Sequence, residues 1–413
     1  MERNMPDTAD VRRLARASEV LFLTALIWFL AKFLRYAFPP LFESLQGTYG
    51  VSNTILGTAF TGFMLAYAAM QFPSGLLADR FGSVGVITAG VLLTAAAALI
   101  LVVDAPFVVV VGAMVLMGVG TGAHKTVAVR LLSRAYPDHT GRALGMLDTV
   151  GVFGGIAAPA AVVLFLGVSD AFVVGWRLVF LLAAAVGLAL AVSFAVRVPP
   201  RIDEDPSGEA ADDGTVDDGG IGQYLVLFYK WRFSVFVLVT LLFSFTYNGV
   251  VAFLPVYLTS EAGLSTATAG LLYASLFAAG PVQIVTGEAS DRIGTPPILV
   301  GTLAVAGLSL GVLVSVSAAG NAWVLGAAVV CIGLGSHGYR PIRDAYLLSI
   351  IPVSIAGGSL GIVRTLLMGA GALAPAIIGI LSDTVGFGPA FGLLTASMAL
   401  AAGLAALLWV AEA

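Results

Sequence analysis

The chain has 413 residues, of which 59% are apolar and only 11% are charged, and its formal net charge is -4. The mean hydropathy is +0.99. So little polar surface cannot cover a water-soluble globule of this length, which excludes a soluble fold. The composition predicts an all-α protein embedded in a lipid bilayer.

Apolar runs of about 20 residues, the length that a hydrocarbon core of roughly 30 Å requires, occur twelve times. They lie near residues 20–42, 53–76, 84–103, 107–132, 143–167, 173–196, 233–258, 266–289, 296–317, 322–347, 356–382 and 388–410. We expect 12 transmembrane helices in two pseudo-symmetric six-helix halves, residues 1–196 and 233–413. Residues 197–232 between them hold eight acidic residues and predict a disordered linker.

The first apolar run carries charge on one face. Trp28, Lys32 and Arg35 are spaced i, i+4 and i+7, which places them on one side of a helix. A basic residue at the centre of a span costs about 2.5 to 3.5 kcal/mol on insertion scales, so this face is expected to line a wet cavity. The alternative is that Arg35 snorkels to the outer surface. Pro39 and Pro40 are expected to end or kink the helix.

A short polar motif follows the second run. Gly75–Gly82 reads G-L-L-A-D-R-F-G, and Gly287–Gly294 repeats its glycines, its Asp and its Arg 212 residues later. Such a repeat predicts duplication of a six-helix unit. Asp79 is suited to accept backbone N–H groups at a helix start, and Arg80 to reach a carboxylate or a lipid phosphate.

This repeated motif resembles the signature of the major facilitator superfamily between helices two and three. The resemblance implies a secondary transporter that alternates access by rocking its two halves. It also implies that the motif locks the cytoplasmic side, so gating roles are expected for Asp79, Arg80, Asp291 and Arg292. The alternative is a generic turn with an interfacial arginine.

The fourth run holds glycines followed by a base. Gly118–Gly122 precedes Lys125, and the tenth run repeats the pattern before Arg340 at an offset of 215. A symmetry-related pair of cations suits an anionic ligand; alternatively both residues are interfacial bases. Members of the family that exchange protons often have Arg and Gln before these glycines, where this chain has Met114 and Met117, so that form of proton coupling is disfavoured.

The fifth and eleventh runs carry opposite charges at equivalent places. Asp148 and Arg364 are 216 residues apart, the same offset that aligns Pro159 with Pro375. We predict that they form a gate bridge, with Lys125 as a third member. In one alternative Arg364 binds substrate without meeting Asp148, and in another each charge finds a partner within its own half.

The seventh and tenth runs add neutral polar groups and a further charge pair. Tyr247 and Asn248 stand in the seventh run where Arg35 stands in the first, so the expected lining is asymmetric and suits a substrate with one charged and one neutral polar end. Arg340 and Asp344 have the i,i+4 spacing of an ion pair.

In-membrane cations outnumber the in-membrane acid Asp148, which predicts uptake of a small organic anion with H+ or Na+. Substrate-binding residues are expected to be Lys32, Arg35, Lys125, Tyr247, Asn248, Arg340 and Arg364. The alternative function is export of amphiphilic compounds. The fifth run resembles only a degraded form of the superfamily's antiporter motif, which weakens this alternative. The loop bases place both termini in the cytoplasm of a cell-membrane protein. No enzyme, metal site, cofactor or nucleic-acid partner is predicted, and a monomer is expected.

Overall fold

The structure is a computed structural model that describes residues 8–167, 175–198, 226–352 and 356–411. Within these ranges it contains no strand, and twelve helical spans are long and apolar enough to cross a membrane. Their bounds are α1 (Thr8–Tyr49), α2 (Asn53–Phe81), α3 (Ser83–Ile100), α4 (Phe107–Ala135), α5 (Thr140–Leu166), α6 (Gly175–Arg197), α7 (Trp231–Ser260), α8 (Thr266–Ala278 and Val282–Ile293), α9 (Thr295–Val316), α10 (Ala322–Ile350), α11 (Ala356–Thr384) and α12 (Phe387–Val410). The twelve predicted spans are confirmed. Residues 199–225, most of the predicted acidic linker, lie outside the described residues.

One proline prediction needs correction, and one proline interrupts a helix that the sequence predicts to be continuous. The expectation that Pro39 and Pro40 could end the first helix is wrong, because α1 continues through both to Tyr49. Phe38 and Phe42 flank the prolines and are fully buried, so packing holds the helix together where backbone hydrogen bonds are lost. Conversely, α8 is not continuous, because a turn interrupts it between Ala278 and Val282, where Pro281 has no N–H to donate.

The chain forms two compact units. The first comprises residues 1–35, 66–155 and 167–213, and the second comprises residues 36–65, 156–166 and 214–413. Within the first unit α3 packs against α4 and α6; within the second, α7 packs against α11 and α12, and α9 against α10 and α12.

Glycines bring the backbones of α3 and α4 into contact. A Cβ atom built on Gly120 would lie 2.6 Å from the carbonyl oxygen of Gly90 and 2.9 Å from the backbone nitrogen of Thr94. In the second unit a Cβ on Gly335 would lie 2.5 Å from the carbonyl oxygen of Thr302 in α9. Gly120 and Gly335 are related by the same 215-residue offset as Lys125 and Arg340, and the close approach fixes how α4 and α10 present those cations.

The second unit also joins the beginning of α2 to α11. A Cβ on Gly57 would lie 2.9 Å from the carbonyl carbon of Pro375, and Thr61 Oγ1 accepts a 3.1 Å hydrogen bond from the N–H of Ala376. Asp383 accepts hydrogen bonds from the backbone N–H groups of Asn53 at 3.3 Å and Thr54 at 2.7 Å. A carboxylate from α11 therefore caps the start of α2, where N–H groups lack partners within the helix.

Candidate functional site

Two cations converge on one indole ring in the first unit. Trp28 of α1 is buried, with Lys32 Nζ 4.8 Å and Lys125 Nζ 4.9 Å from its ring centroid. The buried ring of His124 stacks on the same indole at 6.0 Å. Gly151 of α5 packs directly on the indole, where a side chain would collide with it. The structure thus brings together two of the predicted binding residues, and the ring is placed for cation–π contact with both.

Lys125 also forms an ion pair with Asp148 of α5. Lys125 lies ten residues before the end of α4 and Asp148 eight residues after the start of α5, so both are about 12 to 15 Å along their helices from the ends nearest the motif. The side chains are 25% and 60% exposed. Since a charged pair at this depth is costly against lipid, its exposed side is suited to an aqueous pathway.

Arg35 lies further along α1 beside a different ring. Its guanidinium carbon is 5.7 Å from the centroid of Tyr67 in α2. One helical turn after Tyr67, Gln71 accepts a 2.8 Å hydrogen bond from the Thr126 hydroxyl, while its amide nitrogen is buried and has no hydrogen-bond partner among the described residues. This part of the first unit therefore offers a half-buried cation and an amide donor.

The second unit contains a related arrangement. The guanidinium carbon of Arg340 in α10 is 4.6 Å from the ring centroid of Tyr247 in α7. His337 meets the same ring edge-on at 6.1 Å, and Phe243 stacks on it at 6.0 Å. The two arrangements correspond. In the first unit a cation of α4 lies over an aromatic ring of α1, and in the second unit a cation of α10 lies over an aromatic ring of α7; a histidine lies beside each ring.

The neutral polar residues predicted on α7 are held in place locally. Asn248 donates a 2.9 Å hydrogen bond to the carbonyl oxygen of Ser244, and the Ser244 hydroxyl donates at 2.7 Å to the carbonyl oxygen of Leu367 in α11. Gly371 packs against the Asn248 amide. Arg364, two turns before Gly371, is exposed and makes no ion pair within the described ranges. Its predicted bridge to Asp148 stays a prediction.

The motif of the first half ties α2 to α4. Asp79 forms an ion pair with Arg130, and Arg80 lies 5.5 Å from the ring of Phe81. The expectation that Asp79 caps a helix start is wrong, because it lies in the last turn of α2 and the next helix begins at Ser83. Gly82 separates them with a φ of 77°, a value that favours glycine.

The repeated motif in the second half forms a different ion pair. Arg292 pairs with Glu288 one turn earlier in α8, and Asp291 makes no ion pair within the residues that the structure describes. At an offset of 215 the counterpart of Arg130 is Ala345, so the repeat has no base at this place on α10. The interhelical tie is therefore confined to the first motif.

Asp344 on α10 forms its ion pair with a different arginine from the one predicted. Asp344 was expected to pair with Arg340, but it pairs with Arg343 at 2.7 Å. The Arg340 guanidinium lies over the ring of Tyr247 on α7.

Arg130 is the functional residue that sequence reasoning missed. It follows Lys125 on α4 and is the base in that helix that meets the acid of the motif. The available signal was its place near the end of the fourth apolar run, which is the end expected on the same side of the membrane as the motif. No group of three or more potential metal ligands occurs within the described parts of the chain.

A model of the Major Facilitator Superfamily matches residues 21–338. The chain belongs to the major facilitator superfamily. The twelve candidate spans in the described residues and the family match are those of a multi-pass membrane protein. Within the described residues the chain is all-helical with twelve candidate membrane spans, as the resemblance implied, whereas its division into halves at residues 1–196 and 233–413 stays a prediction.

Among sequence relatives, this superfamily member is 26% identical over 320 residues to a putative proline/betaine transporter of Staphylococcus aureus, covering 72% of this chain and 66% of that protein. It is 27% identical to the gentisate transporter of Corynebacterium glutamicum, covering 77% and 71%. A D-galactonate transporter of Escherichia coli is 22% identical, with 85% and 86% covered. The match thus spans just under two thirds of the proline/betaine relative.

Solved structures share the fold of this superfamily member. A bacterial homologue of the human lysosomal transporter Spinster, in an inward-facing and unoccupied conformation, has a TM-score of 0.76 at 18% identity, covering 96% of this chain and 97% of that one. A D-xylose-proton symporter has a TM-score of 0.76 at 16% identity, with coverage of 94% and 96%. At these identities the likeness concerns the fold alone.

Proposed function

We propose that this protein carries a small carboxylate across the cell membrane by alternating access, coupled to H+ or Na+. The observation that carries the proposal is the pair of cations lying over aromatic rings, Lys125 at Trp28 and Arg340 at Tyr247. A ring that covers one flank of a cation contacts it by cation–π attraction and excludes water from that flank. Ammonium and guanidinium groups in a poorly hydrated site bind carboxylates strongly, and Arg does so with two parallel hydrogen bonds.

The sequence relatives support a carboxylate in particular. Their printed names refer to gentisate, D-galactonate, proline and betaine. The first two are carboxylate anions, and the other two carry a carboxylate beside a positively charged nitrogen. The chemical group that all four share is the carboxylate, which is the group that Lys125 and Arg340 are suited to bind.

Further roles are proposed for the remaining polar residues. Lys32 adds a second cation at Trp28, Arg35 supplies one beside Tyr67, and Asn248 offers an amide to a neutral polar end of the substrate. Arg364, exposed on α11, is proposed as a further substrate contact or as a gating residue. Asp79, Arg80, Asp291 and Arg292 are proposed to act in the cytoplasmic gate.

The proposed orientation places both termini in the cytoplasm. The supporting feature is the concentration of bases on the side of the motifs, including Arg80, Arg134, Arg142 and Arg292. Labelling single cysteines at position 142, in a background with Cys331 replaced by Ser, tests this. Reaction with an impermeant maleimide in inverted vesicles but not in intact cells is expected.

Uptake into liposomes that contain the purified protein tests the function. We expect saturable uptake of at least one of labelled gentisate, D-galactonate, proline and glycine betaine, driven by an imposed H+ or Na+ gradient. Lys125→Gln and Arg340→Gln should each reduce it at least tenfold, whereas the control Arg142→Gln, an exposed base at the start of α5, should not. Transport of ethidium in place of all four compounds would overturn the proposal in favour of an exporter of amphiphiles.

A further inference from the structure

We propose that the carboxylate carried by this protein belongs to an aromatic acid, and that sugar acids and compounds with a positively charged nitrogen bind poorly. The proposal rests on the proposed function and names the substrate class of the same site. The relatives leave this class open, since their printed names include an aromatic acid, a sugar acid and two compounds with a positively charged nitrogen. The surroundings of the basic side chains distinguish these classes.

The rings beside the proposed carboxylate-binding residues already carry cations of the protein. The Trp28 indole has two ammonium groups near it, with Lys32 Nζ 4.8 Å and Lys125 Nζ 4.9 Å from the ring centroid. The guanidinium carbon of Arg340 is 4.6 Å from the centroid of Tyr247. Quaternary ammonium ligands such as betaine are recognised through aromatic faces. A positively charged nitrogen is repelled by the cations at these rings, so the rings cannot serve it as a cage.

The acids near these cations have partners as well. Asp148 is ion-paired with Lys125, and Asp344 is ion-paired with Arg343 on α10. A substrate with a positively charged nitrogen would therefore compete with a lysine or an arginine for each of these carboxylates. This competition further disfavours proline and betaine.

The neutral polar side chains of α7 are engaged as hydrogen-bond donors within the protein. Asn248 donates at 2.9 Å to the carbonyl oxygen of Ser244, and the Ser244 hydroxyl donates at 2.7 Å to the carbonyl oxygen of Leu367. One turn earlier, the Thr240 hydroxyl donates at 3.0 Å to the carbonyl oxygen of Phe236. The several hydroxyls of a sugar acid each need partners when they leave water, and hydroxyls without partners are costly. These surroundings therefore disfavour a polyhydroxy acid.

An amide of the first unit is an exception to this pattern. The buried amide nitrogen of Gln71 has no hydrogen-bond partner among the described residues, while its oxygen accepts from the Thr126 hydroxyl. One amide suits a single hydroxyl on a ring and falls short of the several hydroxyls of a sugar acid.

Aromatic side chains continue from Tyr247 and make the surroundings of Arg340 apolar. Phe243 stacks on Tyr247 at 6.0 Å, and His337 meets it edge-on at 6.1 Å. Phe277 of α8 lies beside His337, with the ring centroids 6.5 Å apart. These four rings are buried, whereas Arg340 is half-buried. Stacked and edge-on ring contacts are favourable beyond the area that they bury, so a carboxylate attached to a ring suits this place.

Equilibrium binding of labelled compounds to the purified protein in detergent tests the substrate class. We expect benzoate and gentisate to bind roughly tenfold or more tightly than D-galactonate, proline and glycine betaine. If one of the last three binds as tightly as benzoate, the aromatic class is overturned and the proposed carboxylate transport stands. If none of the five binds, the proposed function fails and the aromatic class fails with it.

A second measurement compares benzoate with cyclohexanecarboxylate, an apolar carboxylate without an aromatic ring. Tyr247→Leu keeps an apolar side chain without a ring, and should lower the ratio of the two affinities about fivefold, the size of a ring–ring contact. Tyr247→Phe should keep the ratio of the parent, as should the control Tyr229→Leu, at a tyrosine that is 89% exposed. An unchanged ratio in Tyr247→Leu overturns the proposed ring contact. Melting temperatures verify the fold, and Phe243→Leu provides the same comparison if Tyr247→Leu does not fold.

Discussion

Asp79 in the last turn of α2 forms an ion pair with Arg130 of α4, so the motif that marks the duplication also ties two helices of the first half together. The repeated motif lacks this tie because Ala345 stands where Arg130 would recur. The first copy of the motif therefore joins two helices through an ion pair, whereas the ion pair of the second copy lies within one helix.

Disrupting this pair should loosen α2 from α4. The side chains are 32% and 61% exposed, so we expect a coupling energy of about 0.2 to 1 kcal/mol from a double-mutant cycle of Asp79→Asn and Arg130→Gln. Thermal unfolding in detergent measures it. Asp291→Asn is the matched control at the repeat and should change the melting temperature less. An equal effect at Asp291 would show that the acid matters for the turn and not for the interhelical pair.

The gating proposal makes a separate prediction for the same acids. If the motif locks the cytoplasmic side, Asp79→Asn should favour the state open to the cytoplasm. A cysteine placed at Thr126, beside Gln71, should then react faster with an impermeant maleimide from the cytoplasmic side and more slowly from outside. Unchanged rates from both sides would restrict Asp79 to a structural role.

A side chain at Gly120 should separate α3 from α4. The added Cβ of Gly120→Ala would lie 2.6 Å from the Gly90 carbonyl oxygen, and overpacking of this kind costs about 1 to 3 kcal/mol. Thermal unfolding of the purified protein is the measurement. Gly112→Ala, on the same helix with nothing within 4 Å, should leave the melting temperature within error of the parent. Equal melting temperatures for all three proteins would mean that the two backbones separate at little cost.

Gly151→Ala should damage the site more than the fold. The new methyl group would meet the Trp28 indole, with Nε1 at 2.5 Å, and would displace the ring on which Lys32 and Lys125 lie. We expect at least a tenfold weaker affinity for the transported carboxylate, with a melting temperature close to that of the parent. Gly145→Ala, on α5 with no atom within 4 Å, is the control and should bind normally. Normal binding by Gly151→Ala would remove Trp28 from the site.

Charge exchange distinguishes the two proposed partners of Asp148. Because the structure pairs Asp148 with Lys125, the exchange Asp148→Lys with Lys125→Asp should recover more transport than Asp148→Arg with Arg364→Asp. Uptake relative to the corresponding single variants is the measurement. Greater recovery in the exchange with Arg364 would establish the bridge that the repeat offset predicts.

The sequence was informative wherever the cause of a feature is local or periodic. The lengths of the spans could be predicted from the thickness of a bilayer. The repeat offset correctly linked Lys125 with Arg340, since Lys125 lies over a ring of α1 and Arg340 over a ring of α7. Ion-pair partners could not be predicted, because they depend on how far a side chain reaches between helices. Thus Arg130 was overlooked, and Asp344 was matched with Arg340 although it meets Arg343.

A contact between residues far apart in the chain shows the same limit more sharply. Asp383 caps Thr54 across 329 residues of sequence, and neither residue belongs to a recognisable motif. Their meeting depends on the docking of α11 onto the start of α2, which is a property of the assembled fold. No window of local sequence contains the information.

That cap has a consequence for the transport cycle. In the proposed alternating-access cycle, separation of the start of α2 from α11 would take the N–H groups of Asn53 and Thr54 away from the carboxylate that binds them. Water has to replace it, since exposed amides and a bare carboxylate are both strongly hydrated. In that cycle the separation would be a hydration step, so solutes that lower water activity are expected to favour the state in which α2 and α11 stay docked.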